Sequence, residues 1–311
     1  MTKRGWLLFA AMAVIWGVPY LLIKVAVDEV APSTLVLART ALGAALLLPI
    51  AFARGQVAAV LRRWRPLLLF TVIEICVPWL LLGFAEQRLS SSLTGLLVAA
   101  VPMVGALLAR FGPEREHLDA RRLVGLVVGL AGVGALVGFE VGSGDVRAVL
   151  AIAVVSIGYA VAPMILARSL SDLPGLGVVA VSLGIAAIAY LPVGVAQAPS
   201  EWPSGKAVLA VVVLAVLCTA VAFLLFFQLI AEVGAARSVV ITYVNPAVAV
   251  LLGVVVLDEK FTVATGVGFL LILTGSVLAT ARSTAPDRAA DSAAPVAKPS
   301  PPVLAQPVPE P

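Results

Sequence analysis

The chain has 311 residues, 61% of them hydrophobic and only 12% charged, with a formal net charge of +4 and a mean hydropathy of +1.10. Soluble domains carry about 25% charged residues, so an ordinary water-soluble core is excluded. The single histidine, His117, has no Cys or His companions at ligand spacing, which excludes a metal centre, and no basic run is interleaved with aromatics as a nucleic-acid surface requires.

Apolar stretches long enough to cross roughly 30 Å of hydrocarbon recur along the chain. They cover residues 5–27, 34–53, 66–84, 91–110, 122–139, 147–167, 174–194, 206–230, 235–257 and 262–281. Helices are expected, because lipid offers no partner for backbone polar groups and barrel strands would alternate apolar with polar side chains. The first stretch follows Lys3 and Arg4 but is too long for a signal peptide, and Trp16, Gly17, Pro19 and Tyr20 stand where a cleavage site belongs. It is expected to remain as a helix. Trp16, Tyr20 and Lys24 recur every four residues, which predicts one helix face, and Pro19 among them is a candidate break. In the second stretch Arg39 lies about one and a half turns from the outer end. Arg39 and Lys24 are both expected to snorkel outward to the headgroups.

The third stretch carries Glu74 near its centre, with Thr71 and Pro78 on the same face. A lone carboxylate at that depth is costly, so it faces a cavity, pairs with a cation such as Arg39, or holds a proton. Its functional reading is binding of a substrate amine or carriage of a coupling proton. Cys76 and Cys218, each deep in an apolar stretch, behave as small hydrophobes and report no redox compartment. Pro102 in the fourth stretch, Pro163 in the sixth and Pro246 in the ninth are further candidate helix breaks, and Pro102 and Pro246 each free a carbonyl. Ser156, Tyr159 and Pro163 share a face, as do Ser238, Thr242 and Asn245. Glycines at 125, 129, 132 and 134, and at 266, 268 and 275, predict close helix packing or a homodimer face. Residues 282–311, rich in Ala and Pro without apolar periodicity, are expected to form a disordered cytoplasmic tail.

The second half repeats the first. Glu116 and Glu259, Gly125 and Gly268, and Gly132 and Gly275 are each 143 positions apart, while Pro19 and Pro163, like Pro102 and Pro246, are separated by 144. Five spans per copy place the two copies in the membrane in opposite senses. With the N-terminus inside, fifteen of the 21 Lys and Arg fall on the inner side and four, Arg88, Arg147, Lys206 and Lys260, on the outer. Glu116 and Glu259 then lie on opposite faces, each at a helix start where a carboxylate favours the positive end of the dipole. The expected fold is an all-α membrane protein of ten transmembrane helices, arranged as two inverted five-helix repeats over residues 1–140 and 147–281. Inverted repeats place a ligand between the copies near the bilayer midplane, so the candidate binding residues are Trp16, Tyr20, Thr71, Glu74, Tyr159, Thr242 and Asn245.

The stretches "GVPYLLIKVAVDEVAPSTLVLART", "SLTGLLVAAVPMVGALLARFGPERE", "RRLVGLVVGLAGVGAL" and "GAARSVVITYVNPAVAVLLGVVVLDEKFTVATGVGFLLILTGSVLAT" resemble the EamA-type transporters of the drug/metabolite transporter superfamily, over nearly all of residues 5–281. The resemblance implies movement of small metabolites, amino acids or drugs across the bacterial cytoplasmic membrane, usually outward, with no cofactor. The chain departs from the family at the loop glutamates, where the family usually writes Gly-Glu and here Arg115 precedes Glu116 and Asp258 precedes Glu259. Other classes fare worse. "NPA" at 245–247 is similar to the water-channel motif, but the equivalent first-copy position is Val101-Pro102, so its counterpart is missing. An intramembrane enzyme requires an acid pair, a serine elbow or a histidine within the spans, and a non-transporting scaffold gives the inverted duplication no purpose.

Overall fold

A computed structural model describes residues 2–111, 119–140 and 145–280. Among the described residues ten helical spans are long and apolar enough to cross a membrane: span 1, Lys3–Val27; span 2, Pro32–Ala53; span 3, Trp64–Glu86; span 4, Ser91–Arg110; span 5, Ala120–Phe139; span 6, Val146–Ser169; span 7, Gly175–Ala196; span 8, Gly205–Val233; span 9, Val240–Leu257; span 10, Val263–Thr280. Glu116, Arg115, His117 and the tail 282–311 lie outside the described residues. Leu130, Leu150, Ile188, Leu209 and Val255 are exposed around the bundle, where lipid tails take the place of water.

Local chemistry sets the span ends. Ser90 accepts a hydrogen bond from the Leu93 N–H and starts span 4, and Ser204 does the same with Ala207 for span 8. Pro32 opens span 2 in the first turn, where its missing N–H costs nothing. Span 9 ends on Asp258 in the left-handed conformation, φ 53°, with the Glu259 N–H returning to the Gly253 carbonyl.

Spans 5 and 10 pack together most extensively, spans 2 and 7 next, and spans 4 and 9 also pair. Span 3 packs on span 6, and span 8 on span 1. Exchanging each span for the one five places along maps this pairing onto itself. Glycine makes the span 5–10 contact possible: a Cβ on Gly275 would stand 2.6 Å from the Gly125 carbonyl oxygen, and one on Gly132 would stand 2.9 Å from that of Gly268. Gly125, Gly129, Gly132, Gly268 and Gly275 are therefore used within the chain, whereas Gly134 faces open space.

Three spans are interrupted. Span 1 breaks between Lys3–Ile15 and Pro19–Val27, so Trp16 and Tyr20 do not share a continuous helix face. Span 4 breaks between Ser91–Val98 and Val101–Phe111, just before Pro102. Span 9 winds as a tight 3-10 turn over Val239–Tyr243 before the α-helix Asn245–Leu257 begins, with Pro246 in its first turn. Pro163, by contrast, does not break its helix. Val146–Ser169 runs through it, with the ring exposed and one backbone hydrogen bond displaced.

Candidate functional site

Spans 3 and 8 each contain a short π-helical stretch, Val72–Cys76 and Val216–Val221. Their starts are 144 positions apart, the same spacing as the paired prolines. A π-turn inserts one residue into the helix and redirects the side chains that follow. Here those side chains are Glu74 in span 3 and Cys218 and Thr219 in span 8. Hydroxyl groups meet carbonyls at both places: Tyr190 of span 7 donates to the Cys76 carbonyl at 2.9 Å, and Thr219 donates to that of Leu214 at 2.9 Å. Gly158 of span 6 allows the close approach to the first stretch, since a Cβ there would lie 2.7 Å from the Ile73 carbonyl oxygen.

Arg39 stands between the two stretches. It is buried, does not snorkel to the headgroups, donates from Nε to the Thr219 hydroxyl at 2.9 Å and lays its guanidinium 3.5 Å from the centroid of the Trp79 ring. Its direction reflects which helix face it occupies: it points at spans 3 and 8, where an aromatic face and a hydroxyl compensate part of the lost hydration. Among the described residues its two terminal nitrogens make no hydrogen bond to protein. Tyr20, Tyr159 and Cys218 lie within electrostatic range of Arg39, and Tyr159 also faces Glu74, Tyr20 and the Trp79 side chain.

Glu74 is half-buried and, among the described residues, has neither an ion-pair partner nor a hydrogen bond, so it is not paired with Arg39. Thr71 is buried with its hydroxyl donating to the Leu67 carbonyl of its own helix. Trp16 packs against Phe226 and Phe223 of span 8, at centroid distances of 4.7 and 5.9 Å. Tyr20 lies against Gly95 of span 4. Lys24 turns inward and donates to the Glu86 backbone carbonyl at 2.6 Å.

Asn245 holds the helix breaks together. At the end of the first helix the Gly17 N–H turns to the Val14 carbonyl, releasing that of Ala13. The Asn245 amide, oriented so that both partners are satisfied, donates to Ala13 at 3.0 Å and to Ile241 at 2.9 Å. Pro102 frees carbonyls in the same way, and the buried Ser276 hydroxyl of span 10 donates to Ala99 at 3.1 Å. Thr242 lies in the 3-10 turn, away from the π-helical stretches in sequence.

Glu259 carries out its helix-start role on a helix other than its own. Its carboxylate accepts from the Ser91 and Ser92 N–H groups, at 2.7 and 3.0 Å, at the N-terminus of span 4. The structure thus gathers Glu74, Tyr159, Tyr20, Arg39, Trp79 and Thr219 into one polar centre, while Trp16 packs on Phe223 and Phe226 and Thr71 and Asn245 are engaged in backbone bonds. Two shallow surface depressions, one around Leu48, Pro49 and Phe52 and one around Ser33, Phe84 and Gln197, stand apart from it. Sequence reasoning missed Trp79 and Thr219, although adding 144 to Glu74 leads to Cys218 with Thr219 beside it.

The profile of the EamA-like transporter family matches this chain twice, at residues 3–138 and 146–281. The chain belongs to the EamA-like transporter family. It is 24% identical over 292 residues to "Uncharacterized transporter YvbV" of Bacillus subtilis, covering 92% of this chain and 95% of that protein. To "Uncharacterized inner membrane transporter YedA" of Escherichia coli K12 it is 29% identical over 254 residues, 78% of this chain and 79% of the other. A solved crystal structure, 23% identical, superposes with a TM-score of 0.65 over 90% of this chain and 98% of its own, which shows the same fold. The protein is a multi-pass membrane transporter of the drug/metabolite transporter superfamily.

Proposed function

We propose that this member of the family is a secondary transporter of a small amphipathic metabolite with the charge pattern of an amino acid, exporting it by alternating access between two inverted five-helix repeats, residues 1–140 and 147–281. The observation that carries this reading is the pair of unsatisfied charges at the polar centre. Among the described residues the two terminal nitrogens of Arg39 make no hydrogen bond, and a guanidinium fork holds a carboxylate by two parallel hydrogen bonds. Glu74, beyond Tyr159, is a half-buried carboxylate without a partner among the described residues, suited to an ammonium group or a coupling proton. Trp79 and Tyr159 supply aromatic surface between them.

The symmetric span pairing and the two profile matches support the inverted repeat. The positive-inside count supports cytoplasmic termini, and the bacterial relatives support the cytoplasmic membrane. The interrupted spans 1, 4 and 9 supply joints for the rocking motion.

A ligand screen by thermal stabilisation of the purified protein tests the substrate class. Amino acids are expected to stabilise the wild type more than amines lacking a carboxylate, and to lose that effect in Glu74→Gln and in Arg39→Gln. Equal stabilisation of both variants by the same ligands overturns the assignment.

A further inference from the structure

A buried acid lies at the end of the bundle formed by the segments 28–31, 87–90 and 258–262. Glu86, the last residue of span 3, is 0% exposed, and neither of its carboxylate oxygens has a hydrogen-bond partner among the described residues. Lys24 approaches it but donates to its backbone carbonyl. Glu259, whose charge also faces Glu86, is satisfied by the Ser91 and Ser92 N–H groups. The Ser91, Ser92 and Thr94 hydroxyls close to the start of span 4 are likewise buried without partners.

Asp28, Glu29, Arg88, Asp258 and Lys260 on these segments are exposed, and the charges turned towards Glu86 itself do not balance. Two carboxylates and one ammonium leave a surplus negative charge in a medium where an unpaired ion costs several kcal/mol. One proton removes it. Of the two acids, Glu259 already accepts two N–H bonds, whereas neither carboxylate oxygen of Glu86 has a partner among the described residues, so Glu86 is the one left to take the proton. The groups facing Glu86 are Lys24 and Tyr20 from span 1 and Glu259 from the loop before span 10. Among the neighbouring spans, span 2 carries Arg39, which is turned to Trp79 and Thr219, and span 6 carries the exposed Arg147.

We propose that Glu86 is an exchangeable proton-binding site, formed by Glu86, Lys24 and Glu259 where the two halves of the chain meet. Binding adds one proton to a Glu86 carboxylate oxygen and leaves a neutral acid; release returns that proton to water and restores the charge beside Glu259. The release places two carboxylates against each other and loosens the contact by which Glu259 holds the start of span 4. Tyr20 faces both Glu86 and Arg39, and Tyr159 faces Arg39, Tyr20 and Glu74, so the site is linked electrostatically to the polar centre. This deepens the transport reading by placing a proton site outside the substrate contacts.

The test is infrared difference spectroscopy of the purified full chain in liposomes, titrated with protons alone in sodium-free buffer. It needs no substrate, so it stands whether or not flux is found. The wild type and Glu74→Gln are expected to show a protonated-carboxyl band, lost on alkalinisation, that Glu86→Gln lacks. Lys24→Met, which removes the neighbouring cation, is expected to hold the band to higher pH and provides the test should Glu86→Gln fail to fold. Spectra of Glu86→Gln matching the wild type at every pH, an unmoved midpoint in Lys24→Met, or displacement of the band by sodium at constant pH would each overturn the proposal.

Discussion

The Arg39 guanidinium lies 3.5 Å from the centroid of the Trp79 ring while its Nε donates to Thr219, so one side chain joins spans 2, 3 and 8. A planar cation is needed for both contacts, and lysine offers a point charge without the flat face. Arg39→Lys is expected to cost about 2 kcal/mol of stability, the value of a buried hydrogen bond to a charged group, and to reduce transport. Thermal unfolding in detergent, with flux measured on the same preparation, checks both.

Glu74→Gln should separate function from folding. The carboxylate has no hydrogen bond or ion pair among the described residues, so the amide removes no contact and stability should stay within about 0.5 kcal/mol of wild type. Transport should fall or change its pH dependence. Wild-type flux across a pH series would count against a role for Glu74.

The glycine contact between spans 5 and 10 predicts a contrast. Gly275→Ala places a methyl group against the Gly129 backbone and 2.6 Å from the Gly125 carbonyl oxygen, so the helices must separate, at a cost of about 1–3 kcal/mol. Gly134→Ala meets nothing within 4 Å and is expected to stabilise by up to about 1 kcal/mol. Equal unfolding temperatures for the two variants would contradict the packing described.

Asp258 occupies the left-handed position that closes span 9. The side chain is exposed and glycine adopts this conformation freely, so Asp258→Gly should stabilise by up to about 1 kcal/mol. The same residue explains the departure from the family's Gly-Glu pair: an aspartate here takes the turn that glycine usually makes.

Glu29 pins the loop after span 1 to the start of span 8 through the Ser204 hydroxyl and N–H, at 2.6 and 2.7 Å. These bonds, the hydroxyl first, hold its carboxyl below the usual carboxylate range. The stabilisation is therefore present above the unfolded-state value and is lost as pH falls through the lowered folded-state value. Glu29→Gln should abolish that part of the acid dependence, as read from unfolding curves at successive pH values. An unchanged acid limb would contradict the pin.

The ten spans were legible because hydrocarbon demands a continuous apolar length, and Pro19, Pro102 and Pro246 announced breaks through the hydrogen bonds they remove. Pro163 obeyed the same chemistry without a break, because its effect depends on which side of the bundle it faces. Arg39 and Lys24 looked like snorkelling residues because distance along a helix does not give the direction around it. The glycines declared a close contact but not its partner, which is the other half of the same chain. Glu86 stayed hidden at a span end, where a carboxylate is ordinarily hydrated; only the segments folded over it bury it.

Uptake and counterflow in proteoliposomes against a mixed metabolite pool decide whether the polar centre is a transport pathway. Wild type and Glu74→Gln would be compared with and without a proton gradient. Saturable flux of an amino-acid-like substrate that follows the gradient and fails in the variant is expected. Flux of equal rate in both proteins, indifferent to the gradient, would contradict such a pathway.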